Sequence, residues 1–333
     1  MTKGSNHGRK LYTASVLASP IVKFSRVLPG LLVLVLLTAA PFALYALKDP
    51  ERAPLDDAAR ASAPGRFVHL SDGYTHYDIG GPATGRPVVL VAGFSVPYYI
   101  WDPTFSALVD AGFRVLRYDY YGRGYSDRPD ARYDQDLYVR QLSELLDAVG
   151  MKGAVDLVGL SMGGAVVTSM ADRQPGRVRS LVYIDPSFRT PYAPPSTLGW
   201  SFLAAVHGEH QWADEQLADF LHPERFPDWP DKYRVQLQYR GFRRARLSEL
   251  VTNAHVDQRD EVARVGTHVR PVLAIWGKQD RTVPFELSEQ FLRVMPKARL
   301  VPVDQAGHLP HLEQPATVNR VLREFLSAEP TQP

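Results

Sequence analysis

A serine hydroxyl is a weak nucleophile until a base can take its proton and a turn holds its oxygen clear of the backbone. Ser161 lies in Gly159-Leu160-Ser161-Met162-Gly163-Gly164, between an apolar run that reads as a strand and an amphipathic run that reads as a helix. That setting gives the G-x-S-x-G spacing chemical meaning, because the chain folds sharply at the serine and leaves room only for small neighbours. Without it, Ser161 would merely cap a helix. A base must come from elsewhere. Of the ten His, His308 follows the last apolar run, in Gln305-Ala306-Gly307-His308-Leu309-Pro310. A loop leaving the carboxyl edge of a parallel sheet can carry an imidazole over the serine's turn. His311 is the fallback. His207 and His210 (H-G-E-H) lack further metal ligands and read as surface residues, and His222 and His255 have no readable partner.

An acid is needed to fix the imidazole tautomer and stabilise the imidazolium. Asp280, in Trp276-Gly277-Lys278-Gln279-Asp280-Arg281-Thr282-Val283-Pro284, again leaves a strand end. The order Ser161, Asp280, His308 matches the chain order of hydrolases with this serine turn. Asp185, ending the preceding strand, is the alternative acid; its other role is to cap the turn that follows. Charge developing on a carbonyl oxygen needs donors already aimed at it. The Met162 amide is one and the Phe94 amide, in Ala92-Gly93-Phe94-Ser95, is the other, with Gly93 allowing close approach. No metal, nucleotide or flavin is implied. The glycines at 159–164 lack the Lys of a phosphate loop.

Alternation of strand and helix must position these side chains. Segments 66–70 and 75–79 read as an antiparallel pair through Asp72-Gly73, followed by strands at 87–93, 114–120, 155–160 and 178–185 with helices between them. The pattern lapses after Asp185 and resumes at 271–276, 284–295, 299–303 and 317–325. Strands apolar throughout, separated by amphipathic helices, indicate an α/β fold with a mostly parallel sheet covered on both faces. The interruption, rich in Trp and Tyr, reads as a helical cap over 187–262, between core segments 66–186 and 263–333.

The 333 residues carry a formal charge of only +2, so no global field recruits nucleic acid. With no cysteine, a disulfide framework, thiolate metal ligands and a Cys nucleophile are excluded. Residues 1–26 form a tail with basic Lys3, Arg9, Lys10, Lys23 and Arg26 and no acid. Residues 27–47 are uncharged and, as a helix, would span roughly 31 Å, near the ~30 Å hydrocarbon core. Pro29 and Gly30 are expected to trim the regular helix to 31–47. This predicts a membrane anchor with the catalytic domain outside the cytoplasm, or a secreted chain if the segment is a cleaved signal. Residues 48–65, rich in Pro, Ala and charge, read as a linker. The Arg240, Arg243, Arg244 and Arg246 cluster reads as a solvated helix face, with a lipid-headgroup contact as the alternative.

AGF at 92–94, DYYGRGYSDRP at 119–129, GLSMGG at 159–164, GKQDRTVP at 277–284 and GHLPHLEQP at 307–315, in order and in register from Phe67 to Phe325, resemble the α/β-hydrolase superfamily. The set is similar to its esterase, monoacylglycerol-lipase-like and carbon–carbon-bond hydrolase branches. The resemblance implies a Ser-His-Asp hydrolase of a small acyl substrate, with Arg123 and Asp127 in local structural ion pairs. Where the family often has His-Gly before the oxyanion residue, this chain has Ala92-Gly93. Ser161 in place of a carboxylate separates it from dehalogenase and epoxide-hydrolase branches. The expected activity is cleavage of carboxylic esters of lipid or other apolar acyl groups. Hydrolysis of carbon–carbon bonds in ring-cleavage products, or of amides, is the alternative with the same triad, and a non-catalytic binding protein is the third reading.

Overall fold

A computed structural model describes residues 1, 21–47, 49–189, 209–253 and 257–328. Eight strands form one sheet: β1 (Arg66–Leu70), β2 (Gly73–Gly80), β3 (Pro87–Val91), β4 (Arg114–Tyr118), β5 (Val155–Leu160), β6 (Val178–Ile184), β7 (Val272–Gly277) and β8 (Arg299–Val303). Their order is β1-β2-β4-β3-β5-β6-β7-β8. Only β2 runs against its neighbours; from β4 across to β8 every pair is parallel. Parallel strands need crossovers, and the helices Asp102–Asp110, Gln135–Ala148, Met162–Arg173 and Leu287–Val294 supply them.

Burial explains the order. Every residue of β5 and β7 is buried, whereas the edge strands β1 and β8 are half exposed. Strands apolar on both faces must lie centrally between helix layers, each buried Val, Leu or Ile contributing ~1.5–3 kcal/mol. The exception in β5 is Asp156, fully buried at its amino end. Arg86, Arg179 and Ser180 all bond its carboxylate, at 2.6, 3.1 and 2.7 Å, so the charge is matched where it is buried. This pins the edge of the sheet opposite the serine.

Between β6 and β7 the described chain is helical: Glu209–Glu215, Trp229–Leu237, Phe242–Asn253 and Arg259–Thr267. The last of these lies on Met162–Arg173, with Arg264 bonding Asp172 at 2.7 Å. Phe220, Phe226 and Trp229 stack on one another, and Tyr233 meets Phe242 edge-on. Most of this aromatic content therefore packs the segment together. Residues 49–65 lie along it: Ala53 bridges Tyr239, and Glu51 accepts the amides of Gly241 and Arg243. A short helix, Asp57–Ser62, follows, and its Arg60 bonds Asp127 at 2.6 Å.

The amino-terminal segment corrects an expectation. A helix runs from Ile21 to Leu47, passing through Pro29 instead of starting after it, with Pro41 also inside. Among the described residues no helix is long and apolar enough to cross a membrane. The stretch between its two prolines, 30–40, is about 16 Å long, roughly half the ~30 Å hydrocarbon core. Each proline also leaves a carbonyl without its helical donor. Leu31 to Leu37 are exposed, so among the described residues no neighbouring helix covers the gap. The membrane anchor at 27–47, the membrane as partner and the extracytoplasmic placement that rested on the anchor are not supported. The basic tail from Lys3 to Lys10, and Lys48, lie outside the described residues, as do the side chains of Lys23 and Arg26.

Trp276 ends β7 fully buried and donates its indole N–H to the Val283 carbonyl at 2.9 Å, fastening the loop that carries Asp280. Trp276→Ala is expected to lower unfolding free energy by ~3–5 kcal/mol. Trp276→Phe, which keeps most of the packing, should cost clearly less. Urea denaturation read by circular dichroism checks both; equal losses would mean that packing is not what Trp276 supplies.

Candidate active site

Ser161 joins β5 to the helix Met162–Arg173 at φ 52 and ψ −119. A non-glycine residue held there costs on the order of 1–3 kcal/mol, so neighbours must over-determine it. Its amide donates to Ile184 at 2.9 Å, and its carbonyl accepts from Gly164 at 2.9 Å and Ser187 at 3.0 Å. A Cβ on Gly159 would sit 2.5 Å from the Gly163 carbonyl oxygen, and one on Gly163 would strike the Val91 and Ala92 carbonyls. The glycines around the serine are therefore steric requirements of the turn.

His308 and Asp280 are brought together. His308 Nδ1 lies 2.7 Å from Asp280 Oδ2, both residues buried. The other Asp280 oxygen accepts the amides of Thr282 and Val283, each at 2.8 Å, so three partners hold this carboxylate and one lone pair of Oδ2 stays open. The His308 amide donates to Asp219 at 2.8 Å, which fixes its loop. Burial pulls the imidazole pKa down, but the charge of Asp280 and its hydrogen bond pull harder, and the ring titrates above its usual 6.5. Ser161, Asp280 and His308 follow β5, β7 and β8, so all three stand at the carboxyl edge of one parallel sheet. Among the described residues the Ser161 hydroxyl makes no hydrogen bond to the His308 ring. Nucleophile–base contacts are often long in free enzymes and tighten on substrate binding.

The two alternatives part: His311 falls in the core, and Asp185 joins the Asp280–His308 cluster. His311 is fully buried with Nε2 on the Ile100 carbonyl at 3.0 Å, and burial drives its pKa down to about 3. It is a neutral core residue. Asp185 is also fully buried; one oxygen accepts the Gly277 amide at 2.8 Å. An Asp185 oxygen, an Asp280 oxygen and a His308 nitrogen lie within 4.8 Å of one another. These donor types could suit a cation, but His308 and Asp280 stand at direct hydrogen-bond distance, and the cluster reads as a proton-linked chain.

The expected oxyanion donors stand around the same turn. A Cβ on Gly93 would approach Ser161 Cβ to 3.5 Å, placing the Phe94 loop against Ser161. Met162 opens its helix, where first-turn amides have no intrahelical acceptor. Two side chains grip the Phe94 loop from behind. Arg123 Nε donates to the Phe94 carbonyl at 3.0 Å, and Gln236 Nε2 to the Ser95 carbonyl at 2.9 Å. Arg123 is itself buried against Glu249, whose other oxygen accepts from Tyr138 at 2.5 Å. The ion pair expected to be local thus spans from the core to the helix Phe242–Asn253. Asp127 is likewise distant in its pairing, bonding Arg60 and the Tyr74 amide. Glu249 and Gln236 were not singled out from sequence. Glu249 shares the helical spacing of buried Phe242 and Ala245, and a charge on that apolar stripe was the available signal.

His222 is paired with Glu224 at 3.4 Å. Trp200, His207, His255 and the His210 side chain lie outside the described residues. Three of the four clustered arginines are engaged within the chain, Arg243 with Asp49, Arg244 with Asp130, and Arg246 stacked on Phe94 and Trp212, whereas Arg240 is exposed.

The family model described as "Alpha/beta hydrolase family" matches residues 88–321, most of the chain and all of this site except its framing strands β1 and β2. The chain belongs to the alpha/beta hydrolase family. It is similar to a Variovorax paradoxus protein assigned as the carbamate hydrolase RutD, 29% identical over 76% of this chain and 96% of the relative. A 2-hydroxy-6-oxononadienedioate/2-hydroxy-6-oxononatrienedioate hydrolase of Cupriavidus pinatubonensis is 28% identical over 78% of this chain and 94% of its own length. Among solved structures, a thermophilic esterase from Thermogutta terrifontis superposes with TM-score 0.68 at 26% identity, covering 79% of this chain and 98% of the esterase.

For this alpha/beta hydrolase burial lowers the His308 pKa, and the Asp280 charge is what raises it against that burial. The ring is expected to titrate above 6.5 in the parent chain. In Asp280→Asn its midpoint should fall by about 1–3 pH units, the range for losing an adjacent opposite charge. Imidazole NMR across a pH series reads both. An unmoved midpoint would show that Asp280 does not govern the ring.

Proposed function

We propose that the chain is a serine hydrolase of carboxylic esters with apolar acyl groups, acting through an acyl-enzyme. The observation that carries this reading is the buried Asp280–His308 pair at the sheet edge that also bears Ser161 at positive φ. In this reading His308 Nε2 takes the Ser161 proton as Oγ attacks the ester carbonyl carbon. The amides of Met162 and Phe94 receive the negative oxygen of the tetrahedral intermediate. Collapse breaks the carbon–oxygen bond to the leaving alcohol, which takes its proton from the imidazolium. Water, deprotonated by the same imidazole, then releases the acid and restores Ser161. Family membership and the likeness to a solved esterase support hydrolysis of this kind.

The second reading, hydrolysis of a carbon–carbon bond next to a carbonyl, is favoured by the relative named for that substrate class. Both use the same three side chains, so the leaving group decides between them. Purified full-length chain assayed on p-nitrophenyl esters of graded acyl length, an aryl amide and a vinylogous diketone is expected to favour the esters. Ser161→Ala should lower kcat by on the order of 10⁴-fold or more, the scale of losing a triad nucleophile. Undiminished turnover in that variant would remove the mechanism, and preference for the diketone would select the second reading. Fluorophosphonate labelling lost in Ser161→Ala would count against a non-catalytic member.

A further inference from the structure

Asp185 stands where three parts of the site meet. Its amide donates to the Ile275 carbonyl of β7 at 3.0 Å, and Ser187, two residues on, donates to the Ser161 carbonyl at 3.0 Å. One carboxyl oxygen accepts the Gly277 amide at 2.8 Å. The other, Oδ2, is buried with no donor among the described residues. Its neighbours in the cluster are the Asp280 carboxylate and the His308 ring. The backbone at Asp185 is held at φ 44, a strained value for any residue but glycine.

Two carboxylates cannot both be ionised at such range in a buried site. Asp280 has the stronger hold on its charge, with two backbone amides and His308 bonded to it. Glu313, also nearby, is committed as an acceptor to the amides of Leu221, His222 and Gly307, so it supplies no donor to Asp185. Among the described protein groups, a proton on Oδ2 that is donated to Asp280 satisfies it. We infer that Asp185 is a positioning residue that stays a neutral carboxylic acid and donates a hydrogen bond to Asp280, extending the Ser161–His308–Asp280 relay by one member. Burial first, and then the Asp280 charge, raise its pKa well above the ordinary carboxylate range. The groups facing it are Asp280, His308 and Glu313, with Asp219 acting on His308 from the far side. Sharing the Asp280 charge with a donor moderates its pull on the imidazole, leaving His308 basic enough to accept the serine proton and acidic enough to return it.

This role rests on the triad reading, but the proton itself does not. In the full-length chain labelled with ¹³C-aspartate at the carboxyl carbon, NMR should show one Asp carboxyl that stays protonated from about pH 5 to 8. That signal should be missing in Asp185→Asn; a parent chain with every Asp carboxyl ionised across that range would overturn the proposal whatever the activity. The second readout is the acid limb of kcat/KM against pH on the best ester. Asparagine is neutral and can still donate, so Asp185→Asn should leave the limb within about 0.3 pH unit of the parent and keep activity within about threefold. Asp185→Ala removes the donor and should lower kcat about tenfold, leave KM unchanged and move the limb to higher pH. A limb moving down by about 1 pH unit or more in Asp185→Asn would show that a negative charge had been lost there, and would defeat the inference. If Ser161→Ala shows the triad reading to be wrong, the carboxyl signal still decides whether the proton is on Asp185.

Discussion

A charged carboxylate buried beside an imidazole survives only if its lone pairs are occupied, because an unpaired buried charge neutralises itself by shifting its pKa. Asp280 meets that condition from its own loop: the amides of Thr282 and Val283 close on one oxygen and His308 on the other. The loop can do this because β7 delivers it from the buried centre of the sheet and the Trp276 indole ties it down at Val283. The His308 loop is pressed against the same place, since even a Cβ on Gly277 would strike the Gly307 carbonyl. The pairing is therefore a consequence of how β7 and β8 end.

The Phe94 side of the candidate site is supported differently. The Phe94 loop has few backbone partners of its own, and its carbonyls are held by Arg123 and Gln236. Gln236 comes from the helix Trp229–Leu237, and Arg123 depends on Glu249 in Phe242–Asn253. A buried guanidinium without its carboxylate would be strongly unfavourable, so these helices cannot move far without releasing Phe94. The segment that could be taken for a passive cover thus bears on where a key amide points. Residues 49–65, through Glu51 and Ala53, brace that segment in turn, and Arg60 ties them to Asp127 in the loop after β4.

What could be read from the sequence divides along physical lines. Periodicity and strict local sterics were legible: the strands of the sheet, the glycines around Ser161, and the loops bearing Asp280 and His308 all leave short-range patterns. Pairing across the fold was not. Arg123 and Asp127 looked like local partners because charged loop residues usually are, yet their partners, Glu249 and Arg60, sit in elements far away in the chain. The apolar run at 27–47 misled for another reason. Composition alone gave it the length of a membrane span, whereas among the described residues no helix is long and apolar enough to cross a membrane.

Strain gives the same division a sharper form. Among the described residues the non-glycine positions at positive φ are Ser161, Asp185 and Gln305. They follow β5, β6 and β8, so each stands at the carboxyl edge of the sheet, where the candidate catalytic groups are. Each costs on the order of 1–3 kcal/mol, which the deeply buried centre of the sheet can offset. Ser161 was singled out by its flanking glycines, but Asp185 and Gln305 carry no such flanks that mark their backbone state. Had the strain been scattered, it would say little about chemistry. Its confinement to one edge means that the fold holds these strand ends in shapes they would not adopt alone, and one of the three, Asp185, has its carboxylate in the cluster with the His308 imidazole.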